Sequence, residues 1–210
     1  MAISVREVSD DDIPRACEIE LLAYKGGSLS PILAPGPFPP DSWQQRIEQV
    51  TTMRKEDPTT VYLQAFDGDT GKMVAFAKWH VFESSEAAAK SSRPLSFGAG
   101  RNKEACQLFF GGMAKRKKEI MGDKPHLYLH MLHTDPEFQG RGAGGMLVDW
   151  GSKKADELGL PVYLESSIKG HRFYQKHGFE DVDIFKVDFS KFGGPLHEQP
   201  LMVRKPLKLS

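Results

Sequence analysis

The chain is poor in cysteine: Cys17 and Cys106 are the only two in 210 residues. That is too few for a disulfide framework, and they read as reduced thiols of an intracellular protein. It has no excess charge of either sign, since 28 Lys and Arg meet 28 Asp and Glu. A general polyanion binder is clearly basic, so nothing in the composition points to nucleic acid. No apolar run is long enough to cross a bilayer. The opening residues MAISVREVSDDD lack the basic segment and apolar stretch of a signal peptide. The expectation is a cytoplasmic protein with no membrane partner. Repeats and low-complexity tracts are also missing. What is present is ordinary for a globular domain, 40% hydrophobic and 27% charged, and its length suits one domain over residues 1–210.

Alternation predicts a first strand over Ile3–Val8, followed by a helix whose apolar face is Ile13, Ala16, Cys17, Leu21 and Tyr24. Residues 26–40 hold three glycines and five prolines, which predicts a stiff irregular loop. Asp41 then caps a helix carrying Trp43, Ile47 and Val50. Thr60–Phe66 and Lys72–Phe82, rich in β-branched and aromatic residues and separated by Asp67-Gly68-Asp69 and Gly71, predict a hairpin. Residues 83–124 break the pattern and read as a helical insertion over one end of the sheet, with a helix from Lys103 to about Met121. His126–Thr134 is a strand, and a helix follows to Leu158, ended by Gly159 and Pro161. Pro161–Glu165 is a short strand, Lys169–His177 a short helix, and Val182–Phe189 with Pro200–Lys205 a final pair.

The chemistry centres on Gln139-Gly140-Arg141-Gly142-Ala143-Gly144, set between a strand and a helix. Unpaired N–H groups and the positive end of a helix dipole suit an anion there, and glycine lets a diphosphate approach the backbone. Alone, such a turn also serves plain structural needs. No acidic ribose-binding residue follows about 20 positions on, as a dinucleotide fold would want, and no Gly-Lys-Ser/Thr ending makes it a P-loop. His126, His130 and His133 share one strand, with 126 and 130 on one face and 133 on the other; they read as ordinary strand histidines, with no metal expected. Lys115-Arg116-Lys117-Lys118 reads as the solvated face of the insertion helix. Phe38, Trp43, Trp79 and the prolines of 31–40 either wall an acceptor pocket or simply pack.

Gln139, Gly142 and Gly144, with Phe173-Tyr174-Gln175-Lys176-His177-Gly178-Phe179 downstream, resemble the two signatures of the GNAT (GCN5-related N-acetyltransferase) family. The likeness in motifs covers about residues 126–180. With Leu132-His133-Thr134-Asp135-Pro136, it is nearest to fungal members of unassigned substrate. The resemblance implies an α/β (α+β) fold, a central, mostly antiparallel mixed sheet flanked by helices. It implies acetyl-CoA as co-substrate, with backbone of Leu132 and Thr134 on the pantetheine arm. N–H groups of Gln139, Gly140, Arg141, Gly142, Ala143 and Gly144 would hold the pyrophosphate. Ser167 stands where many members carry a cofactor-binding Asn. Tyr174 would be the general acid beside the sulfur. Glu165, at its strand end, is the first choice of general base, with His133 and Asp135 behind it. The implied reaction is transfer of acetyl to a primary amine of a small molecule by direct attack in a ternary complex, no cysteine lying beside the motifs. A protein or peptide acceptor, or a non-catalytic acyl-CoA-binding module, are the alternatives. Dimers are common in the family, so a homodimer is also an expectation.

Overall fold

The computed structural model describes residues 2–91 and 95–207, so residues 92–94 of the insertion lie outside the described residues. Seven strands form one sheet in the order β1-β2-β3-β4-β5-β7-β6: β1 Ile3–Glu7, β2 Thr60–Asp67, β3 Met73–Phe82, β4 His126–Thr134, β5 Val162–Glu165, β6 Glu180–Asp188 and β7 Leu196–Arg204. Only β4 and β5 run parallel; every other neighbouring pair is antiparallel. The expected mixed sheet and its hairpin are both present.

The helices are α1 Ile13–Tyr24, α2 Ser30–Leu33, α3 Ser42–Glu56, α4 Ser85–Ala89, α5 Lys103–Cys106, α6 Gly112–Met121, α7 Ala143–Leu158 and α8 His171–Lys176. Helix α7 lies across β2, β3 and β4 on one face, and α1 with α3 covers the other. The face under α7 is the dry core. Trp79 is fully buried there among Leu127, Leu147, Val148 and Leu164. It reaches α7 because position 151 is glycine: a Cβ on Gly151 would stand 2.2 Å from the indole. Trp79 therefore belongs to the core and not to an acceptor pocket.

Three local expectations change. On α1 the buried residues are Ile13, Ala16, Cys17 and Ile19, whereas Leu21 and Tyr24 are more than half exposed. The helix overhangs a cleft at its C-terminal end, so Leu21 and Tyr24 border open space there, with Tyr24 still touching His133 of β4. Within 26–40 one helical turn, α2, does form. Pro31 fits its first turn, and Ile32 and Leu33 are buried against Phe189 and Phe109. The Lys103–Met121 helix is continuous but passes through a π turn at Gln107–Gly111 between α5 and α6.

Candidate active site

Strand β4 carries the site. It pairs with β5 only from Leu127 to Leu129, after which the two parallel strands diverge and leave the backbone of residues 130–134 without a partner on that side among the described residues. A β-bulge lies at the same point, where Lys78 pairs with Met131 and Trp79 with Leu129, so His130 is the extra residue. A bulge shifts side-chain parity by one. Leu127, Leu129 and Leu132 all face α7, while Met131 joins the α1 and α3 side. His133 consequently stands on the same side as His126, not opposite it: Phe82, His80, Lys78 and Phe76 of one strand face pair with His126, Tyr128, Met131 and His133.

The mouth of this divergence faces the glycine turn. Gly140 and Gly142 have φ of 76° and 85°, where only glycine is unstrained. A Cβ at either would meet nothing within 4 Å, so the backbone of 139–142 is exposed and open to a ligand. Gly142 caps α7, whose sixteen residues aim their first N–H groups at the same space. Gly144 is a close-approach glycine: its Cβ would stand 3.4 Å from Thr134 Oγ1, 3.8 Å from Phe173 and 3.9 Å from Leu132. One position on, Gly145 faces His177 at 3.4 Å, and His177 is held by Asp149 through its Nδ1 at 3.0 Å. The two sequence motifs, Gln139–Gly144 and Phe173–Phe179, thus meet around Leu132 and Thr134. The cradle suits a diphosphate followed by an extended arm, as coenzyme A requires.

Tyr174 packs edge-on against Phe173 and Phe179, at 5.1 and 5.8 Å, and lines the cleft. Burial pushes its pKa up, with Tyr24 adding to the effect, so its hydroxyl stays protonated at neutral pH. Ser167 accepts the Gly170 N–H through its Oγ at 3.0 Å. That bond shapes the turn into α8, and its O–H is left as a donor. Arg141 lies over the Phe138 ring at 5.1 Å.

Glu165 ends β5 at the divergence. Its carboxylate accepts a hydrogen bond from Tyr128 Oη at 2.8 Å. Burial raises its pKa to about 7, against the pull of that hydrogen bond and of Lys117. Of the runners-up, Asp135 is tied up in pairing and His133 is packed away, its Nδ1 without a hydrogen-bond partner among the described residues. Asp135 is buried, ion-paired with Arg15, and accepts the Glu137 N–H at 3.0 Å. His133 is buried edge-on against Tyr24 at 5.0 Å.

Lys117 departs from the expected solvated face. Arg116 pairs with Asp183, and Lys118 with Asp123. Lys117 instead turns inward over the rings of Tyr128 at 4.4 Å and Phe82 at 5.5 Å. The signal was in the sequence: Met113, Lys117 and Met121 recur every four residues, one stripe of a helix. Phe38 and Trp43 line the same cleft, half exposed.

A model of the acetyltransferase (GNAT) family matches residues 31–179, which spans the bulged strand, the glycine turn and the Tyr174 helix. The chain belongs to the GNAT family. An uncharacterized N-acetyltransferase of Schizosaccharomyces pombe is 28% identical over 100 residues, 48% of this chain and 43% of that one. The chain spans about half the length, or less, of the curated relatives it matches. Among solved structures, a Corynebacterium glutamicum protein described as histone acetyltransferase HPA2 and related acetyltransferase covers 100% of this chain and 99% of its own, with a TM-score of 0.65 at 18% identity. A Drosophila melanogaster polyamine N-acetyltransferase covers 97% of this chain and 100% of its own, with a TM-score of 0.61 at 20% identity. These two likenesses speak for the fold. Among the described residues, no helix is long and apolar enough to cross a membrane.

Proposed function

We propose that this GNAT protein transfers the acetyl group of acetyl-CoA to a primary amine of a small molecule by direct attack in a ternary complex. One observation carries the reading: Gly144 and Gly145 bring the glycine turn, the unpaired half of β4 and the Tyr174 helix to contact distance. A diphosphate on the N–H groups of 139–144, with the pantetheine arm along Leu132 and Thr134, would direct a thioester toward Tyr174. Ser167 would add a donor at the cofactor's edge.

The roles follow from protonation. An alkyl amine arrives as ammonium and must lose a proton before its nitrogen can attack. Glu165, poised near neutrality at the strand end, is the acceptor of that proton. Tyr174, held protonated, donates to the departing thiolate. Holding both reactants in the cleft supplies orientation. Both cysteines are buried, and Cys17, which borders the cleft, has its thiol pushed up to about 11, which disfavours a thiolate nucleophile. A small acceptor is favoured by the insertion, whose Phe97, Phe110 and Met113 wall one side of the cleft.

Calorimetric titration with acetyl-CoA, CoA and NAD⁺ tests the cofactor half. Selective binding of the two CoA species, abolished or weakened at least tenfold in a folded Gly142→Val variant, is the expected result. A folded parent that binds neither CoA species would remove the acyltransferase reading. Turnover with peptide N-termini but not with small amines would replace the acceptor.

A further inference from the structure

The floor of the cleft holds a second titratable array that the mechanism above does not use. His130, the bulge residue, opens to the cleft, and its Nδ1 lies 3.2 Å from Nε2 of His80 on β3. His80 is buried; its Nδ1 lies 3.4 Å from Thr59 Oγ1 and 3.6 Å from Asp57 Oδ2. The order of these contacts sets the protons. A carboxylate beside His80 Nδ1 calls for N–H there, which leaves His80 Nε2 as acceptor. His130 Nδ1 must then be the donor, and His130 Nε2 is left with its lone pair. Tyr128 fixes the ring plane by stacking at 5.2 Å and 15°. The same Tyr128 bonds Glu165 through its hydroxyl, so the imidazole and the carboxyl flank one aromatic ring at the point where β4 leaves β5.

We propose that His130 is a second proton acceptor of this acetyl-transfer site, with His80 and Asp57 as positioning residues that fix its tautomer. The inference rests on the acetyl-transfer reading above. An ammonium acceptor must shed two protons. The first leaves before attack, to Glu165. The second leaves after the N–C bond forms, when the adduct nitrogen carries a positive charge; that N–H bond breaks and His130 Nε2 takes the proton. The C–S bond then breaks with its electron pair going to sulfur, and Tyr174 protonates the thiolate. Two protons accepted and one donated leave one for solvent, which matches ammonium plus thioester giving amide, thiol and one proton.

The surroundings suit an acceptor that is neutral when needed and quickly reset. Desolvation between the cleft walls comes first in holding the His130 pKa well down, followed by Lys78 and His80 on β3, Lys117 on α6 and Arg46 on α3. The cations of Lys78, Lys117 and Arg46 drive a captured proton back out to solvent.

Two measurements test the proposal. The first is ¹⁵N NMR of histidine-labelled protein at neutral pH, with His130 assigned from its loss in His130→Gln. A bare Nε2 and protonated Nδ1 are expected, with the tautomer changing in a folded His80→Phe variant. A protonated Nε2 in the parent overturns the proposal. The second is steady-state turnover of acetyl-CoA with 2-phenylethylamine as probe. His130→Gln should lower kcat roughly 10- to 100-fold with the KM for acetyl-CoA unchanged, and the loss should multiply with that of Glu165→Gln. A variant with parental kcat overturns it. A parent that binds acetyl-CoA yet ignores the probe would count against the acceptor reading alone, and the tautomer result then decides for His130.

Discussion

The two faces of the central sheet contrast sharply. Beneath α7, Trp79, Leu127, Leu147 and Leu164 are buried in one cluster of hydrophobic side chains. On the opposite face the same two strands, β3 and β4, present Lys78, His80, Tyr128 and His130, with Lys117 and Glu165 brought in from either side. One face stores stability and tolerates no change of volume. The other face keeps ionisable groups partly dehydrated beside one another, a cost to folding that is accepted for chemistry.

The contrast breaks most visibly at Gly151. Gly151→Val drives a side chain into the Trp79 indole and should cost about 3 kcal/mol, measured by denaturant unfolding, while any folded fraction still binds acetyl-CoA. On the other face the same size of effect should appear in rate and not in stability. Tyr174→Phe should lower kcat roughly 100-fold, with acetyl-CoA affinity unchanged by calorimetry.

Glu165 sharpens the comparison through pH. As a base it works deprotonated, so kcat/KM should rise with pH through about 7, and Glu165→Gln should remove that limb. Stability should move the other way. The folded pKa is raised above the ordinary carboxylate value, so the native state binds the extra proton, and stability falls as pH rises from about 4.5 toward 7. Glu165→Gln should flatten that fall in thermal melts. The smallest effect belongs to Lys117→Met. Losing the cation should raise the Glu165 limb by about half a unit, read from the same pH profile, with thermal stability little changed.

Much of this was legible in the residues. The strand and helix order, the hairpin at 60–82, the glycine turn and the Phe173–Phe179 motif all carry local signals, namely periodicity, turn residues and forced φ. Glu165 could be nominated because a strand end beside the turn is a matter of order along the chain. Its link to Tyr128 could not, because the two sit 37 residues apart and meet only through parallel pairing. Strict alternation puts His133 on the wrong face because it has no place for a bulge, and the bulge at His130 has no Gly or Pro to announce it. The inward turn of Lys117 was hidden by its run of basic neighbours, although its spacing from Met113 and Met121 gave it away. His80 and His130, 50 residues apart, become partners only through the β3–β4 register.

Beside the cleft, one residue more than regular geometry needs stands at His130 in a strand and in the π turn of Gln107–Gly111 in a helix. Each works as a phase adjuster. The extra residue leaves the scaffold in place but rotates everything downstream, bringing Lys117 round on one side and re-aiming residues 131–134 on the other. Deleting either should re-point a set of cleft side chains while the sheet order survives. Acceptor preference in such a domain can then diverge by single-residue insertions and deletions in regular elements, a route of change that substitution counts and loop lengths alike leave unseen.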